Sequence, residues 1–318
     1  MRTAIGVDLG GSHVTAGIIR EDGTIAGQHE RDLDDLAFDA VIDAIDTVVR
    51  KALADVPKAV AVGIGSPGNI DPASGVVRYS PNFGWEDAPL GPALGKRLDL
   101  PVHVANDARC ATLGEYAFGS GAGTQDFVLL TIGTGIGGGI VAGGELLVGN
   151  RHGAGEFGHH QIRPSDGFIC GCGKIGCFEA QASGTGLLRH AVAVAPSFPR
   201  STLLDLPRAN LGSKKIRKAA QAADPHALAA WKNFAADLAL GLANIVASVN
   251  PARIALGGGV SSAGAFLVDA VRARVDELTT MVPRGTTEIV VAKLGNDAGQ
   301  VGAATMALRG GLKTQPTL

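Results

Sequence analysis

The chain has 318 residues, of which 46% are hydrophobic and 18% charged, and its formal net charge at pH 7 is −2. This composition supplies a sizeable core, excludes a disordered protein, and gives no electrostatic reason to expect DNA, RNA or an anionic membrane as a partner. No run reaches about 18 apolar residues, and no export signal accompanies the four cysteines, so we predict a cytoplasmic protein with reduced thiols and no membrane span.

Strand and helix patterns alternate along the first third of the chain. Apolar runs of strand length are separated by glycine turns, and a longer segment has apolar residues at helical spacing. The predicted elements are strands at 3–9, 14–19 and 24–28, a helix at 36–54, a strand at 59–64, a helix at 90–98, a strand at 102–105 and a helix at 108–117.

The opening pattern of three strands recurs later in the chain, at 127–132, 138–142 and 145–148, with Gly133-Thr134-Gly135 after the first strand. Such a recurrence indicates structural duplication. We predict an α/β fold of two duplicated lobes, each with a three-stranded antiparallel meander extended by parallel strands and helices. Two lobes with a cleft between them are typical of a nucleotide enzyme.

The C-terminal third ends with a helix, a strand and a further helix. Trp231, Phe234 and Leu238 begin an apolar stripe that continues to Val249, and a short strand at 253–256 leads into the Gly257-Gly258-Gly259 loop. The mixed segment from Pro196 to Pro225 has a basic middle, typical of a solvated helical face, and we expect the residues after Gly310 to fray. The basic residues are Lys214, Lys215, Arg217 and Lys218.

Three of the four cysteines fall within eight residues, just after two adjacent histidines. One histidine and three cysteines form a tetrahedral donor set for structural zinc. Glu156 and Glu179 bracket this set, so a bound metal would hold two carboxylates in place. The predicted ligands are His159, with His160 as the alternative, and Cys170, Cys172 and Cys177.

Two glycine turns could bind phosphate. Asp8-Leu9-Gly10-Gly11-Ser12 places a carboxylate at a strand end, then a turn without side chains, then a hydroxyl. Backbone N–H groups in such a turn form an anion nest, and a nearby acid can hold Mg²⁺. Gly133-Thr134-Gly135 provides the matching turn, although a strand-Gly-Gly hairpin is more often only a turn.

Gly257-Gly258-Gly259 could let an adenine lie against the backbone, or could be an ordinary strand-to-helix loop. The chain has no Walker A loop, and its first glycine turn leads into a strand rather than a helix.

Asn106-Asp107 directly follows the predicted strand at 102–105. An acid at the carboxyl end of a strand in an open α/β sheet faces the ligand site. Phosphoryl transfer to a hydroxyl needs a carboxylate to accept the proton, and Asp107 is the best candidate. The alternative is that Asp107 caps the following helix; Asp107 and Asn106 could divide the two roles.

Taken together, these motifs resemble those of the ROK family (repressor, open reading frame, kinase) of sugar kinases, within the actin-like ATPase (ribonuclease H-like) fold of two lobes with a central cleft. The E-x-G-H and C-x-C-G-x-x-G-C-x-E pair is the most specific of them. The matching motifs are Asp8 to Ser12, Ser66 to Gly68, Pro81 to Trp85, Asn106 to Ala108, Ile132 to Gly139, Glu156 to His159, Cys170 to Glu179, Asn250-Pro251, Gly257 to Gly259 and Asn296 to Gly299.

The resemblance implies an ATP- and Mg²⁺-dependent kinase that phosphorylates a hexose, with glucose expected, at the 6-hydroxyl. Asp107 would be the catalytic base. The sugar would be held by Ser66, Pro67, Gly68, Asn82, Asn106, Asp107, Glu156, His159 and Glu179. ATP and Mg²⁺ would be held by Asp8, Gly10, Gly11, Ser12, Gly133, Thr134, Gly135, Gly257, Gly258 and Gly259. Structural zinc would be held by His159, Cys170, Cys172 and Cys177.

The resemblance also implies domain boundaries and partners. Residues 1–118, completed by 299–318, would form the small lobe, and 119–298 the large lobe with the zinc site. The partners would be a sugar and a nucleotide, without nucleic acid or membrane, in a homodimer or homotetramer. Another hexose (mannose, fructose or an N-acetylhexosamine), polyphosphate as donor, and a non-catalytic sugar-sensing regulator remain alternatives.

Three positions depart from the family pattern. Ser12-His13 stands where Thr-Lys is more usual, the spacer between His159 and Cys170 is one residue longer, and Arg109-Cys110 replaces small apolar residues. We expect Cys110 to be a helix residue without a metal role.

Overall fold

The computed structural model describes residues 1–203, 205 and 212–312. These residues divide into two compact units. The first contains residues 1–125, 139–155 and the described part of the chain from 293 onward, and the second contains 126–138 and the described part of 156–292. The lobe boundaries expected from the sequence stay a prediction.

The elements of the first half of the chain match most of the predicted strands and helices. They are β1 (Thr3–Leu9), β2 (His13–Arg20), β3 (Ile25–Asp32), α1 (Phe38–Asp55), β4 (Val62–Ser66), β5 (Asn69–Asp71), β6 (Val76–Ser80), β7 (Trp85–Ala88), α2 (Leu90–Leu98), β8 (Val102–Asn106), α3 (Asp107–Phe118), β9 (Phe127–Ile132), β10 (Ile136–Ala142) and β11 (Glu145–Leu146).

The second half is mainly helical. Its elements are α4 (Phe178–Ala182), α5 (Gly184–Val194), α6 (Ser213–Gln221), α7 (Pro225–Val249), β12 (Arg253–Gly257), α8 (Ala265–Leu278), β13 (Glu288–Val291) and α9 (Ala298–Leu308).

Two five-stranded sheets have equivalent strand orders. The first is β3-β2-β1-β4-β8 and the second is β11-β10-β9-β12-β13. In the first sheet, β1 and β2 are antiparallel whereas β1, β4 and β8 are parallel. In the second, β9, β12 and β13 are parallel. In the second sheet β10 and β11 are antiparallel, and the equivalent strand orders agree with the duplication predicted from the repeated pattern. A small sheet, β5-β6-β7, was not predicted.

Apolar patterning and caps explain the main helices. In α1 the buried residues recur every three or four positions, so one face packs into the core of the first unit. The N-cap Asp224 of α7 accepts a hydrogen bond from the Ala227 N–H, and Pro225 occupies the first turn. The helix ends at Val249, where Asn250 adopts a left-handed conformation before Pro251.

Glycines inside strands let α9 lie close against the first sheet. A Cβ at Gly6 would clash with the Gln300 carbonyl, and one at Gly63 would clash with the Ala303 carbonyl. The sequence pattern drew attention to glycines in turns; these two, in β1 and β4, serve helix packing instead.

The basic segment is only partly the solvated face that we predicted. Lys214, Lys215 and Lys218 in α6 are exposed, but Arg217 is buried. The Arg217 guanidinium donates hydrogen bonds to Gln221 Oε1 and the Ser262 carbonyl. Residues 204, 206–211 and 313–318, which belong to the mixed segment and the expected tail, lie outside the described residues. Across the described chain, no helix has the length and apolar character needed to cross a membrane.

Candidate active site

Parallel strand register brings the candidate residues of the first unit to one sheet edge. Asp8 of β1 pairs with Gly65 of β4, and Ser66 of β4 pairs with Asn106 of β8. The carboxyl ends of these parallel strands therefore place Asp8, Ser66 and Asn106 side by side, where open α/β sheets bind ligands.

Asn106 and Asp107 divide the two roles that the sequence left open. Asn106 is the N-cap of α3, since its Oδ1 accepts the Arg109 N–H at 3.2 Å. The Asp107 carboxylate is half-buried, and its Oδ1 accepts hydrogen bonds from Asn106 Nδ2 at 2.9 Å and from the Ala108 N–H at 2.8 Å. These two donors fix the plane of the carboxylate at the end of β8.

The loop after β4 supports Asn106. The Gly68 carbonyl accepts a second hydrogen bond from Asn106 Nδ2, at 3.2 Å. Gly68 has φ of +116°, and a Cβ there would clash with the Tyr79 carbonyl, so only glycine fits this turn. Ser66 and Pro67 are buried beside it. Asn82, also a predicted sugar residue, is exposed in the turn after β6.

Asp8 is a partly buried carboxyl with a raised pKa. Desolvation by burial, and then the negative charge of Asp107, raise its pKa from 3.8 to about 6, while His13 acts in the opposite direction. Gly299, near the start of α9, leaves the space that the carboxyl occupies, because a Cβ there would lie 2.7 Å from Asp8 Cγ. A partly buried acid with a shifted pKa at a strand end is typical of a functional site.

The first glycine turn is narrow and exposed at its tip. The Gly10 N–H donates to the His13 carbonyl at 3.0 Å, and Ser12 Oγ lies 3.2 Å from His13 Nδ1. Gly11 and Ser12 are exposed, and a Cβ at Gly11 would meet no atom within 4 Å. The space around Gly11 would admit a ligand to the backbone.

Arg109 is a residue of this region to which sequence reasoning assigned no role. Its guanidinium is buried, and Nε and Nη2 both donate to the Ala154 carbonyl, at 3.2 and 2.8 Å. Arg109 thereby holds the segment that leads to Glu156. The available signal was its departure from the small residues usual at this position of the family pattern.

In the second unit, the glycine turn after β9 is held by neighbouring backbone and by Glu179. The Gly133 carbonyl accepts the Gly184 N–H at 2.8 Å, and the Glu179 carboxylate accepts the Ile136 N–H at 2.9 Å through Oε2. A Cβ at Gly135 would clash with that same oxygen. Glu179, predicted to bind the sugar, therefore also shapes the predicted phosphate turn.

The third glycine motif lies beside the second. Gly257 at the end of β12 pairs in parallel register with Thr131 of β9. Gly258 has φ of +79°, and a Cβ there would lie 2.6 Å from the Ile132 carbonyl oxygen. Strand pairing thus places the turns at 133–135 and 257–259 at one edge of the second sheet.

One histidine and three cysteines converge in the second unit. The ligand atoms of His159, Cys170, Cys172 and Cys177 all lie within 4.8 Å of one another. Cys172 Sγ is 3.6 Å from Cys177 Sγ, and Cys170 Sγ is 3.8 Å from His159 Nδ1. All four cysteines of the chain are free thiols.

This donor set fits zinc. Tetrahedral ligands at Zn–S distances of about 2.3 Å lie about 3.8 Å apart, close to the separations found here. A backbone hydrogen bond from Lys174, the largest cause, lowers the pKa of Cys172 to about 7, which favours the thiolate that metals bind. Burial raises the pKa of Cys170 and of Cys177, so the fit to zinc rests on the geometry of the four donors. Cys110 is buried in α3 and belongs to the other unit, outside this group.

The structure distinguishes the two adjacent histidines. His160 stacks on Phe178 with ring centroids 5.1 Å apart, and burial lowers its pKa. His159 is exposed and directs Nδ1 toward Cys170. Glu156, also exposed, precedes the short 3₁₀ turn Phe157–His159, and its carbonyl accepts the His159 N–H.

The repeated five-stranded sheets, each with a glycine turn after its first strand, define an actin-like ATPase fold. The chain belongs to the ROK family, whose family model matches residues 4–309.

Known relatives cover nearly the whole chain. A glucokinase from Streptomyces coelicolor is 37% identical over 313 residues, or 96% of this chain and 98% of that protein. The crystal structure of a ROK family glucokinase from Streptomyces griseus, in complex with glucose and AMPPNP, has a TM-score of 0.84 at 37% identity and covers 96% of this chain and 99% of that one. A xylose repressor from Caldicellulosiruptor bescii is 30% identical, covering 84% of this chain and 67% of the repressor.

Proposed function

We propose that this chain transfers the γ-phosphoryl group of ATP to the 6-hydroxyl of glucose. The observation that carries the proposal is the placement of Asp107, whose carboxylate is oriented by two hydrogen bonds at the carboxyl end of β8. Relatives named glucokinase that match almost end to end support glucose as the sugar and ATP as the donor.

Asp107 would act as the general base. As the 6-oxygen attacks the γ-phosphorus, its proton passes to the Asp107 carboxylate, and the bond from that phosphorus to the β–γ bridging oxygen breaks to release ADP. The donors from Asn106 and Ala108 both bind Oδ1, so the carboxylate would keep its direction throughout the reaction.

The sugar hydroxyls would be recognised by fixed polar groups. A hexose and its epimers differ only in hydroxyl placement, so selection requires donors and acceptors that the wrong isomer leaves unpaired. The proposed groups are those of Asn82, Asn106, Glu156, His159 and Glu179, with the backbone of the loop at Ser66, Pro67 and Gly68.

Phosphates would be held by the exposed N–H groups of the glycine turns. Gly10, Gly11 and Ser12 form one turn, Gly133, Thr134 and Gly135 another, and the Gly257–Gly259 backbone would face the adenine. Asp8 would orient the Mg²⁺ that accompanies ATP. The bound Mg²⁺ would neutralise charge on the phosphates.

Zinc would be a structural component held by His159, Cys170, Cys172 and Cys177. A metal in a closed tetrahedral site stabilises the loop that contains its ligands. Here that loop directly precedes Glu179, so the metal would restrict the positions open to this carboxylate.

The decisive experiment measures ADP release from MgATP with a panel of hexoses, comparing the wild type with Asp107→Asn. We expect turnover on glucose and a decrease of about 10²–10⁴-fold in kcat for the variant, because only the base is removed. Asp99→Asn is a suitable control, since Asp99 is an exposed left-handed residue after α2 and asparagine adopts that conformation readily.

Other outcomes would change the proposal in defined ways. Faster turnover on mannose, fructose or an N-acetylhexosamine would keep the mechanism and replace the substrate, and turnover with polyphosphate alone would replace the donor. Folded, zinc-loaded protein that turns over no sugar with either donor would refute a kinase. The homo-oligomer implied by the family resemblance is tested separately by light scattering.

A further inference from the structure

A buried carboxylate in the second unit has no place in the chemistry proposed above. Asp237 lies in the middle of α7 and is 1% exposed. Arg163 Nε donates to its Oδ1 at 2.6 Å, and His190 Nε2 lies 3.3 Å from its Oδ2. Carboxylates at this depth are uncommon unless both oxygens have partners.

The geometry around His190 identifies the proton on its ring. Nε2 faces two acceptors, Asp237 Oδ2 and the Gln181 carbonyl at 3.1 Å. Neither acceptor can donate, so Nε2 must carry hydrogen. The ring also packs edge-on against Phe168, with centroids 5.1 Å apart. Asp237 therefore reaches two further parts of the chain through one imidazole.

Both partners of Asp237, Arg163 and His190, bind segments that lie next to the predicted zinc ligands along the chain. Arg163 lies between His159 and Cys170; its N–H donates to the Gly176 carbonyl, and its own carbonyl accepts the Gly167 N–H, each at 3.1 Å. Gly176 packs so tightly on Arg163 that a Cβ there would clash with the Arg163 carbonyl.

The second partner, His190, donates a hydrogen bond to α4. The Gln181 carbonyl that accepts from His190 lies two residues after Glu179. Gln181 Nε2 also donates to the Phe168 carbonyl at 3.4 Å, and Phe168 lies two residues before Cys170. The segment before the cysteines and the helix after them are thus tied to one carboxylate.

We propose that Asp237 is a positioning residue that fixes the connecting segment, residues 160–169, and the short helix α4 independently of zinc. Arg163 and His190 are its two arms. The segment is then ordered before metal binds, so less conformational entropy is lost when the four ligands assemble. The further consequence, that Glu179 and His159 are held ready for the sugar, rests on the proposed function.

Arg163→Gln is the informative variant, because this side chain is 40% exposed and glutamine removes its charge while keeping an amide N–H. It leaves the buried Asp237 carboxylate with His190 as its remaining partner, so Asp237→Leu, which removes that carboxylate, is the companion variant. A matched control is available. Arg163 Nη1 also faces Asp166 at 3.7 Å, but the Asp166 side chain is 69% exposed. Asp166→Asn therefore removes a solvated partner of the same guanidinium and should change little.

The first measurement is amide hydrogen exchange in zinc-stripped protein, followed by the rate of zinc release to a chelator. We expect Arg163→Gln to lose protection across the connecting segment and to release zinc several-fold faster, because a segment that is no longer fixed lets its ligands leave the metal more readily. Asp237→Leu, which fills the space without the carboxylate, should behave likewise. Exchange and release equal to those of Asp166→Asn in both variants would overturn the proposal.

The kinetic measurement tests the consequence for the sugar. We expect Arg163→Gln to raise the glucose KM several-fold with a smaller change in kcat, since it misplaces binding groups and leaves Asp107 intact. Exchange and zinc release require no turnover. If the wild type phosphorylates no sugar, the proposed function fails while those two measurements still decide the role of Asp237.

Discussion

The ionised Asp8 carboxylate, which is the form proposed to orient Mg²⁺, is also the form that lowers the free energy of unfolding. Its pKa is about 6 in the folded chain against an ordinary 3.8, first because of burial. Between these pH values the folded state holds a proton that the unfolded chain has released, so the free energy of unfolding falls as pH rises from about 4 to about 6. At neutral pH the ionised carboxyl therefore destabilises the fold, by at most about 3 kcal/mol.

We predict that Asp8→Asn raises the free energy of unfolding at pH 7.5 by about 1–3 kcal/mol and abolishes MgATP turnover. Urea unfolding at pH 7.5 and pH 4.5 checks the stability part. The gain should shrink to about 1 kcal/mol at pH 4.5, where folded Asp8 is protonated but the same carboxyl in the unfolded chain, with its ordinary pKa of 3.8, is still mostly ionised. A variant that is less stable than the wild type at pH 7.5 would contradict the assignment.

Asp22→Asn is the control of opposite sign. Asp22 is an exposed carboxylate whose pKa is lowered, mainly by the backbone N–H of Thr24, which donates to Oδ1 at 2.9 Å. Its stabilising contribution is present above its ordinary pKa and is lost as pH falls through the lower folded value. The substitution should therefore destabilise slightly at pH 7.5 and leave turnover unchanged.

Residue types were predictable from the sequence, whereas their exact partners were not. Asn106 and Asp107 follow a strand and precede a helix, so either could cap it, and only the backbone geometry makes Asn106 the cap. His159 and His160 are equally near the cysteines along the chain. Their difference depends on Phe178, against which His160 packs, and such a contact leaves no mark in the spacing.

At the scale of elements, helices α3 and α9 pack closely against each other because glycines lie at their contact. A Cβ at Gly302 of α9 would clash with the Cys110 carbonyl and lie 2.8 Å from the Gly114 nitrogen. We predict that Gly302→Ala destabilises the protein by about 1–3 kcal/mol or more, because neither helix backbone can yield without separating the pair. Urea unfolding followed by circular dichroism measures this.

Gly95→Ala is the matched helical control. Gly95 lies inside α2, where a Cβ would approach nothing closer than 3.9 Å, at the Leu100 carbonyl. Alanine should stabilise α2 by about 0.5–1 kcal/mol, since glycine is the poorer helix former. A Gly302→Ala variant at least as stable as the wild type, beside a stabilised Gly95→Ala, would show that packing at Gly302 is not limiting.

For the whole molecule, the duplication was the strongest architectural signal. Two strand-turn-strand openings predicted two sheets, and both have the same strand order. The small sheet β5-β6-β7 was missed because its strands are only three to five residues long and contain turn-forming residues. Burial of Arg217 was missed because a basic side chain can be paired by tertiary contacts that composition does not record.

Zinc removal should affect the two units differently, because all four predicted ligands belong to the second. We predict that chelation increases amide exchange at 170–177, where the Cys170 and Gly173 N–H groups bond within the turn, and leaves α1 of the first unit unchanged. The Ile136 amide should also exchange faster. It donates to Glu179, whose other oxygen lies 3.8 Å from Cys170 Sγ, so disorder at the cysteines would loosen this acceptor. Re-addition of zinc should restore protection at both places. Equal exchange with and without zinc would mean that the four donors do not hold a structural metal, whereas loss of protection throughout both units would mean that they fold as one cooperative body.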